Sequence, residues 1–120
     1  MRPHCNLEAW KESIECVVRV YEITESIPKD ERYGLISQIR RASVSIPANI
    51  AEGAARRSEK EFLYFLSNAQ GSASELETEF IIARRLEYLK ENDFVEMGSR
   101  LDLIGRLITG LSRHLKRRTE

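Results

Sequence analysis

The apolar residues of this chain keep helical time in four separate runs. Leu7, Trp10, Ile14, Val17 and Tyr21 follow steps of 3, 4, 3 and 4. Ile36, Ile39, Ser43, Ile46 and Ile50 repeat that rhythm, and so do Phe62, Leu66, Ala69, Ala73, Leu76, Phe80 and Ala83. The last run, Phe94, Met97, Leu101, Ile104, Ile108, Leu111 and Leu115, is the cleanest heptad of the four. Steps of three and four collect side chains on one face of an α-helix, whereas a half-buried strand needs alternation by two, which the chain never sustains. A length of 120 residues suits one domain. The predicted fold is all-α: one antiparallel, up-down-up-down four-helix bundle over 1–120, with helices at about 6–27, 31–57, 59–90 and 94–117. Short loops between long helices impose the alternation of direction.

Local signals place the predicted boundaries. Asn6 can cap the first helix, and Ile27-Pro28 marks its end, because the residue before proline avoids the α region. Asp30 is the expected cap of the second. Pro47 falls inside the second helix, where it removes a hydrogen bond and crowds the carbonyl four residues back. The apolar phase continues through Ile50 and Ala54, so a kink near Pro47 is expected rather than a break. Ser58 with Glu61 has the form of a capping box. Glu91-Asn92 reads as the third turn, and Asp93 with Glu96 as the cap of the fourth helix.

The charges are dominated by good helix formers, with 14 Arg to 5 Lys and 16 Glu to 3 Asp. Segments 1–31, 32–60, 61–99 and 100–120 carry net charges of −3, +4, −5 and +4. If each is one helix, every sequence neighbour is also an electrostatic complement. Two cysteines, Cys5 and Cys16, make no disulfide framework and read as free thiols of a reducing cytoplasm. No apolar stretch is long enough to span a membrane. Residues 1–5 have no apolar h-region, so no signal peptide is expected.

Several residues are left over from a minimal bundle. Phe65, Ile82, Leu103 and Leu107 widen the apolar stripes of the third and fourth helices, which fits either a fat core or a face between subunits. Polar stripes run along the second helix (Gln38, Arg41, Ser45, Asn49, Glu52) and the third (Asn68, Ser72, Glu75, Glu79). Either each is a solvated face, or the stripes meet in a structural network in which Arg41 pairs with Glu75 or Glu79. Arginine doublets recur at 40–41, 56–57, 84–85 and 117–118. Neighbouring residues on a helix point about 100° apart, so one member of each can pair with an acid while the other faces out. In an up-down bundle the second turn and the end of the fourth helix share one end of the molecule. There Arg56, Arg57, Lys60, Lys116, Arg117 and Arg118 can form a basic rim, either a plain solvated end or a surface for phosphates.

No Glu-x-x-His pair, Walker-type loop or Gly-x-Ser-x-Gly elbow is present, and His4 and His114 stand alone at the two termini. No catalytic, cofactor-binding or metal-binding residues, and no small-molecule substrate, are therefore expected.

Three strings resemble a known family: Tyr33-Gly34-Leu35, Gln38-Ile39-Arg40-Arg41-Ala42 and Ser45-Ile46-Pro47-Ala48-Asn49-Ile50-Ala51-Glu52-Gly53. Gly71-Ser72 with Glu75-Leu76-Glu77-Thr78 adds a second block, and Trp10, Tyr21 and Thr24 fit its first helix. The family is that of the four-helix bundle proteins named for intervening sequences in bacterial 23S ribosomal RNA genes. The resemblance implies a single antiparallel bundle, a ring-like homopentamer, and no catalytic residues. A related branch, the accessory protein of diversity-generating retroelements, works with a reverse transcriptase and its RNA. The expectation is thus a non-enzymatic, self-associating cytoplasmic bundle. Its partner is RNA or an RNA–protein complex, or alternatively another polypeptide, for which it serves as a scaffold.

Overall fold

In the computed structural model, which describes residues 2–119, the chain is a rod of four α-helices measuring 48 × 22 × 22 Å. The helices are α1 (Glu8–Thr24), α2 (Leu35–Ala54), α3 (Glu59–Arg85) and α4 (Glu91–Thr119). Two 3₁₀ turns, Pro3–Asn6 and Lys29–Glu31, precede α1 and α2, and no strand occurs among the described residues. Helices α2 and α3, and likewise α3 and α4, run in opposite senses. Ser45 meets Ser72 while Gly53 lies against Phe62 and Phe65, and Gln70 reaches Gly105 while Glu59 reaches Arg118. Helix α2 continues through Pro47 without a break.

Three of the four apolar runs face the core as the spacing predicts. Ile39, Ile46, Ile50, Leu66, Leu76, Phe80, Met97, Ile104 and Ile108 are almost wholly excluded from solvent. Helix α1 is the exception. Its inward face is Ala9, Ser13, Cys16, Val20 and Ile23, continued by Ile27 just past the helix. The bulkier run Leu7, Trp10, Ile14 and Val17 is only half-buried, and Tyr21 is exposed. This helix carries two apolar faces, and the one with the smaller side chains is turned inward. The two hydroxyls it buries are satisfied locally, since Ser13 donates to the Trp10 carbonyl and Thr24 to that of Val20, each at 2.8 Å.

Several boundaries differ from the sequence reading. Asn6 lies in the 3₁₀ turn rather than capping α1. Asp30 likewise sits in a 3₁₀ turn, and α2 starts four residues later than a cap at Asp30 requires. There the Glu31 carboxylate accepts from the Leu35 amide at 3.4 Å. Helix α3 stops at Arg85, not near 90. Glu87 takes a left-handed φ of 62°, Glu87 N–H bonds the Arg84 carbonyl and Tyr88 N–H reaches back to that of Ala83. That is a Schellman closure with a glutamate where glycine is usual, so composition gives no warning of it. Glu91, Asn92 and Asp93 belong to α4 itself. Ser58 caps α3 as predicted, its Oγ accepting from the Glu61 amide at 3.1 Å.

The alternating segment charges do not dictate the pairing of the helices. Arg40–Glu25 joins segments of opposite net sign, but Arg19 bridges to Asp93 at 3.1 Å and to Glu96 at 3.0 Å although both segments are net acidic. Arg118 pairs with Glu59 across two net basic ones. Individual register outweighs segment totals.

Gly53 sets the closest approach of α2 to α3. A Cβ there meets Phe65 Cβ at 2.8 Å and Phe62 Cδ1 at 2.9 Å, whereas at Gly98 it meets nothing within 4 Å. Gly53→Ala is therefore expected to destabilise the bundle by roughly 1–3 kcal/mol through overpacking, despite alanine's better helix propensity. Gly98→Ala is expected to stabilise it by up to about 1 kcal/mol. Urea denaturation of both variants checks the opposite signs.

Candidate nucleic-acid interface

Each arginine doublet splits into one member that bonds a neighbouring group and one that makes no ion pair among the described residues, although Arg56 and Arg118 stay exposed while paired. Arg40 donates to Thr24 Oγ1 at 2.9 Å, pairs with Glu25 and lies over the Tyr21 ring at 4.4 Å, while Arg41 is exposed. Arg56 pairs with Glu52 at 2.9 Å and stacks on Phe65, while Arg57 is exposed. Arg84 donates to the Leu89 carbonyl at 2.9 Å and Arg85 is exposed. Arg118 meets Glu59 at 3.3 Å, and Arg117 is exposed, with a long bond to the Arg113 carbonyl. For 40–41, 84–85 and 117–118 the 100° step between successive helical residues enforces this division. Arg56 and Arg57 instead lie in the turn after α2, which ends at Ala54 rather than at 57 as the sequence predicts.

Arg118–Glu59 fixes the end of α4 against the start of α3, and the short turn Ala55–Ser58 keeps the end of α2 beside them. Arg56, Arg57, Lys60, Lys116, Arg117 and Arg118 thus share one end of the rod. Their charges are unequal in effect. Glu52 and Glu59 offset Arg56 and Arg118, whereas Arg57, Lys60 and Arg117 are exposed and make no ion pair among the described residues. Cations at the last turn of α4 also lie where the helix dipole favours them.

The two polar stripes do lie side by side, but only part of them bonds. Ser45 and Ser72 share a hydrogen bond of 2.8 Å, and Asn49 Nδ2 donates to the Ser45 carbonyl at 2.8 Å and to Ser45 Oγ at 3.0 Å. The small side chains of Ser45 and Ser72 let α2 and α3 come this close. The expected pairing of Arg41 with Glu75 or Glu79 does not occur. Arg41 has no ion-pair partner among the described residues, and with Gln38, Ala42, Ser45 and Glu75 it lines an open groove of about 310 Å³. Arg41 sits on the outer side of α2, where water solvates it at no cost. Glu52 bonds Arg56 rather than anything on α3.

Glu79 is the chemical anomaly of the molecule. It is 5% exposed, and its Oε1 has no hydrogen-bond partner. Burial, reinforced by the charge of Glu75 and a hydrogen bond with it, raises its carboxyl from 4.5 to about 7. The sequence holds a signal for this: Glu79 stands three residues after Leu76 and four before Ala83, in step with the core. Grouping it with the outer stripe hides that register. The Arg19 clamp left no such trace. Arg19 Nε donates to both Glu96 oxygens at 3.0 Å and Nη2 to Asp93, while Arg100 takes Glu96 from its own helix at 2.9 Å. Burial pushes the Glu96 carboxyl up, but the bonds from Arg100 and Arg19 outweigh it and hold the group below its ordinary value.

Among the described residues no group of three His, Cys, Asp or Glu side chains could hold a metal ion, and no helix is long and apolar enough to cross a membrane.

Against known proteins, the model of the 23S rRNA-intervening sequence protein family matches residues 5–110. The chain belongs to that family. The resemblance carried by the Ser45–Gly53 string therefore extends over most of its length. The fold matches a crystal structure at 1.70 Å of a protein of unknown function from the S23 ribosomal protein family of Bacteroides thetaiotaomicron. The TM-score is 0.79 at 24% identity, covering 87% of this chain and 97% of that one. None of the curated proteins matches this sequence.

A carboxyl with its folded pKa raised lends stability that is complete below its unfolded value and is lost as pH rises through the folded value. Glu79 should therefore cost stability as pH climbs from about 4.5 to about 7. Glu79→Gln is expected to melt like the native chain at pH 4.5 and to exceed it by on the order of 2 kcal/mol at pH 8. Urea titrations across that range test this, and parallel stability curves would contradict it.

Proposed function

We propose that this member of the 23S rRNA-intervening sequence protein family is a non-enzymatic, self-associating bundle that binds RNA, or an RNA–protein complex, through its basic end. The observation that carries this reading is the convergence of Arg57, Lys60 and Arg117, exposed and without ion pairs among the described residues, where α2, α3 and α4 meet. Exposed cations converging from different helices suit a polyanion, because each neutralised phosphate releases condensed counterions. The family's name points to RNA as that polyanion. Burial leaves Cys16 protonated, with its thiol raised to about 11, so neither chemistry nor cross-linking is assigned to it, in keeping with a reducing cytoplasm.

Self-association is supported by an apolar flank along α1 and α2. Val18, Tyr21 and Val44 are 55%, 43% and 42% exposed, and Ile14 and Val17 lie half-buried beside them. A homopentamer, as in the family resemblance, is the assembly we assign. The same flank favours a second reading, in which the assembly is a scaffold that recruits another polypeptide, such as a reverse transcriptase-like protein. Salt separates the two, since phosphate contacts weaken steeply with ionic strength and apolar docking does not.

The expected outcome for Arg57→Glu/Arg117→Glu is weaker RNA binding. The slope of log affinity against log salt should also be shallower by roughly 2 or more. Fluorescence anisotropy with a labelled oligouridylate measures both, and equal binding by the native chain and the variant at low salt would dismiss the basic end. Sedimentation reads the assembly: the proposal requires a species several times the 13.9 kDa of one chain at micromolar concentration.

A further inference from the structure

Helix α4 contains three glycines, Gly98, Gly105 and Gly110, within 29 residues. Glycine is the poorest helix former after proline. At Gly53 packing demands it, but a Cβ at Gly98 or Gly110 meets nothing within 4 Å, and at Gly105 only the Gln70 side chain at 3.8 Å. The fold gains nothing from glycine at position 110. What its absent side chain does is leave the outer surface of α4 hollow. A groove of about 480 Å³ lies there, lined by Asp102, Gly105, Arg106, Thr109, Gly110 and Arg113.

Two cations flank this hollow. Arg106 and Arg113 are exposed, and neither side chain has an ion pair or hydrogen bond among the described residues. Seven residues of helix turn through almost two full circles, so both stand on one stripe about 10 Å apart along the axis. Arg117, one further turn along at about 6 Å, continues that stripe into the basic end. Asp102, one turn before Arg106, closes it with a carboxylate.

We propose that the sugar–phosphate backbone of RNA leaves the basic end along the outer face of α4, with phosphates held in turn by Arg117, Arg113 and Arg106 over a glycine floor. A guanidinium presents a planar fork suited to phosphate oxygens, and Gly110 lets the strand approach the helix closely. Asp102 repels a phosphate and sets where the track stops. The proposal rests on the phosphate-binding reading of the basic end and extends it by two residues that belong to no arginine doublet.

The test uses the full chain with labelled oligouridylate over a salt series. Arg106→Gln/Arg113→Gln should keep its helical signal and lower the salt slope by roughly 2. Gly110→Gln should raise the melting temperature, because glutamine is the better helix former, and still weaken binding, a combination that a merely structural glycine does not produce. Native-like binding by both variants, with Arg57→Glu/Arg117→Glu impaired, overturns the track and leaves the basic end standing. Absence of binding by the native chain removes both. Displacement of the RNA by polyglutamate as readily as by unlabelled oligouridylate also overturns the track, since it would assign the groove to a carboxylate-rich protein segment.

Discussion

Four stripes of apolar side chains must face one shared axis, and every other feature of this molecule follows from how closely they can do so. The closest contacts are made where side chains are smallest. Gly53 lies against Phe62 and Phe65, Ser45 meets Ser72, and Ala9, Ser13 and Cys16 turn α1 inward. Interiors pack to crystal-like density, so helices with small contact residues sit nearer each other. Once α1 commits its small face to the core, Val18 and Tyr21 are left outside. The flank on which self-association is proposed is thus a by-product of the packing.

The same geometry sorts the cations. A doublet on a helix cannot place both guanidinium groups on one side, so Arg40, Arg84 and Arg118 bond within the fold while Arg41, Arg85 and Arg117 make no ion pair among the described residues, and Arg56 and Arg57 divide likewise in the turn after α2. A neutral chain acquires a locally basic end in this way, because Glu52 and Glu59 there pair with Arg56 and Arg118 and leave Arg57, Lys60 and Arg117 without ion pairs among the described residues. Net charge alone says nothing of this distribution. Glu79 shows the converse case, a charge drawn inward by register, with an oxygen left unpaired.

The fold was legible from spacing because the heptads of α2, α3 and α4 each offer a single apolar face. For α1 the spacing misleads. Leu7, Trp10, Ile14, Val17 and Tyr21 form the more hydrophobic stripe, yet the less hydrophobic Ala9, Ser13 and Cys16 are buried, and periodicity ranks stripes by hydrophobicity rather than by fit. The turn at Glu87 escaped because its left-handed residue is not glycine. The basic end could be assembled from topology alone, while the offsets by Glu52 and Glu59 required coordinates. The expected Arg41 pairing failed because helical stripes specify a face but not the depth of each member on it. The Arg19 clamp joins positions 74 and 77 residues apart, and no local pattern encodes it.

The rotation of α1 about its own axis decides what lies inside and what the flank presents, and the two cysteines report on it directly. Cys16 is wholly buried on the small face, with its thiol pushed up to about 11, and Cys5 is half-buried ahead of the helix. Titration of the native protein with a thiol reagent should modify Cys5 alone, with Cys16 reacting only when denaturant unfolds the bundle. Modification of both at the same rate in the native state would mean that α1 turns a different face inward, and the account of core and flank would fail with it.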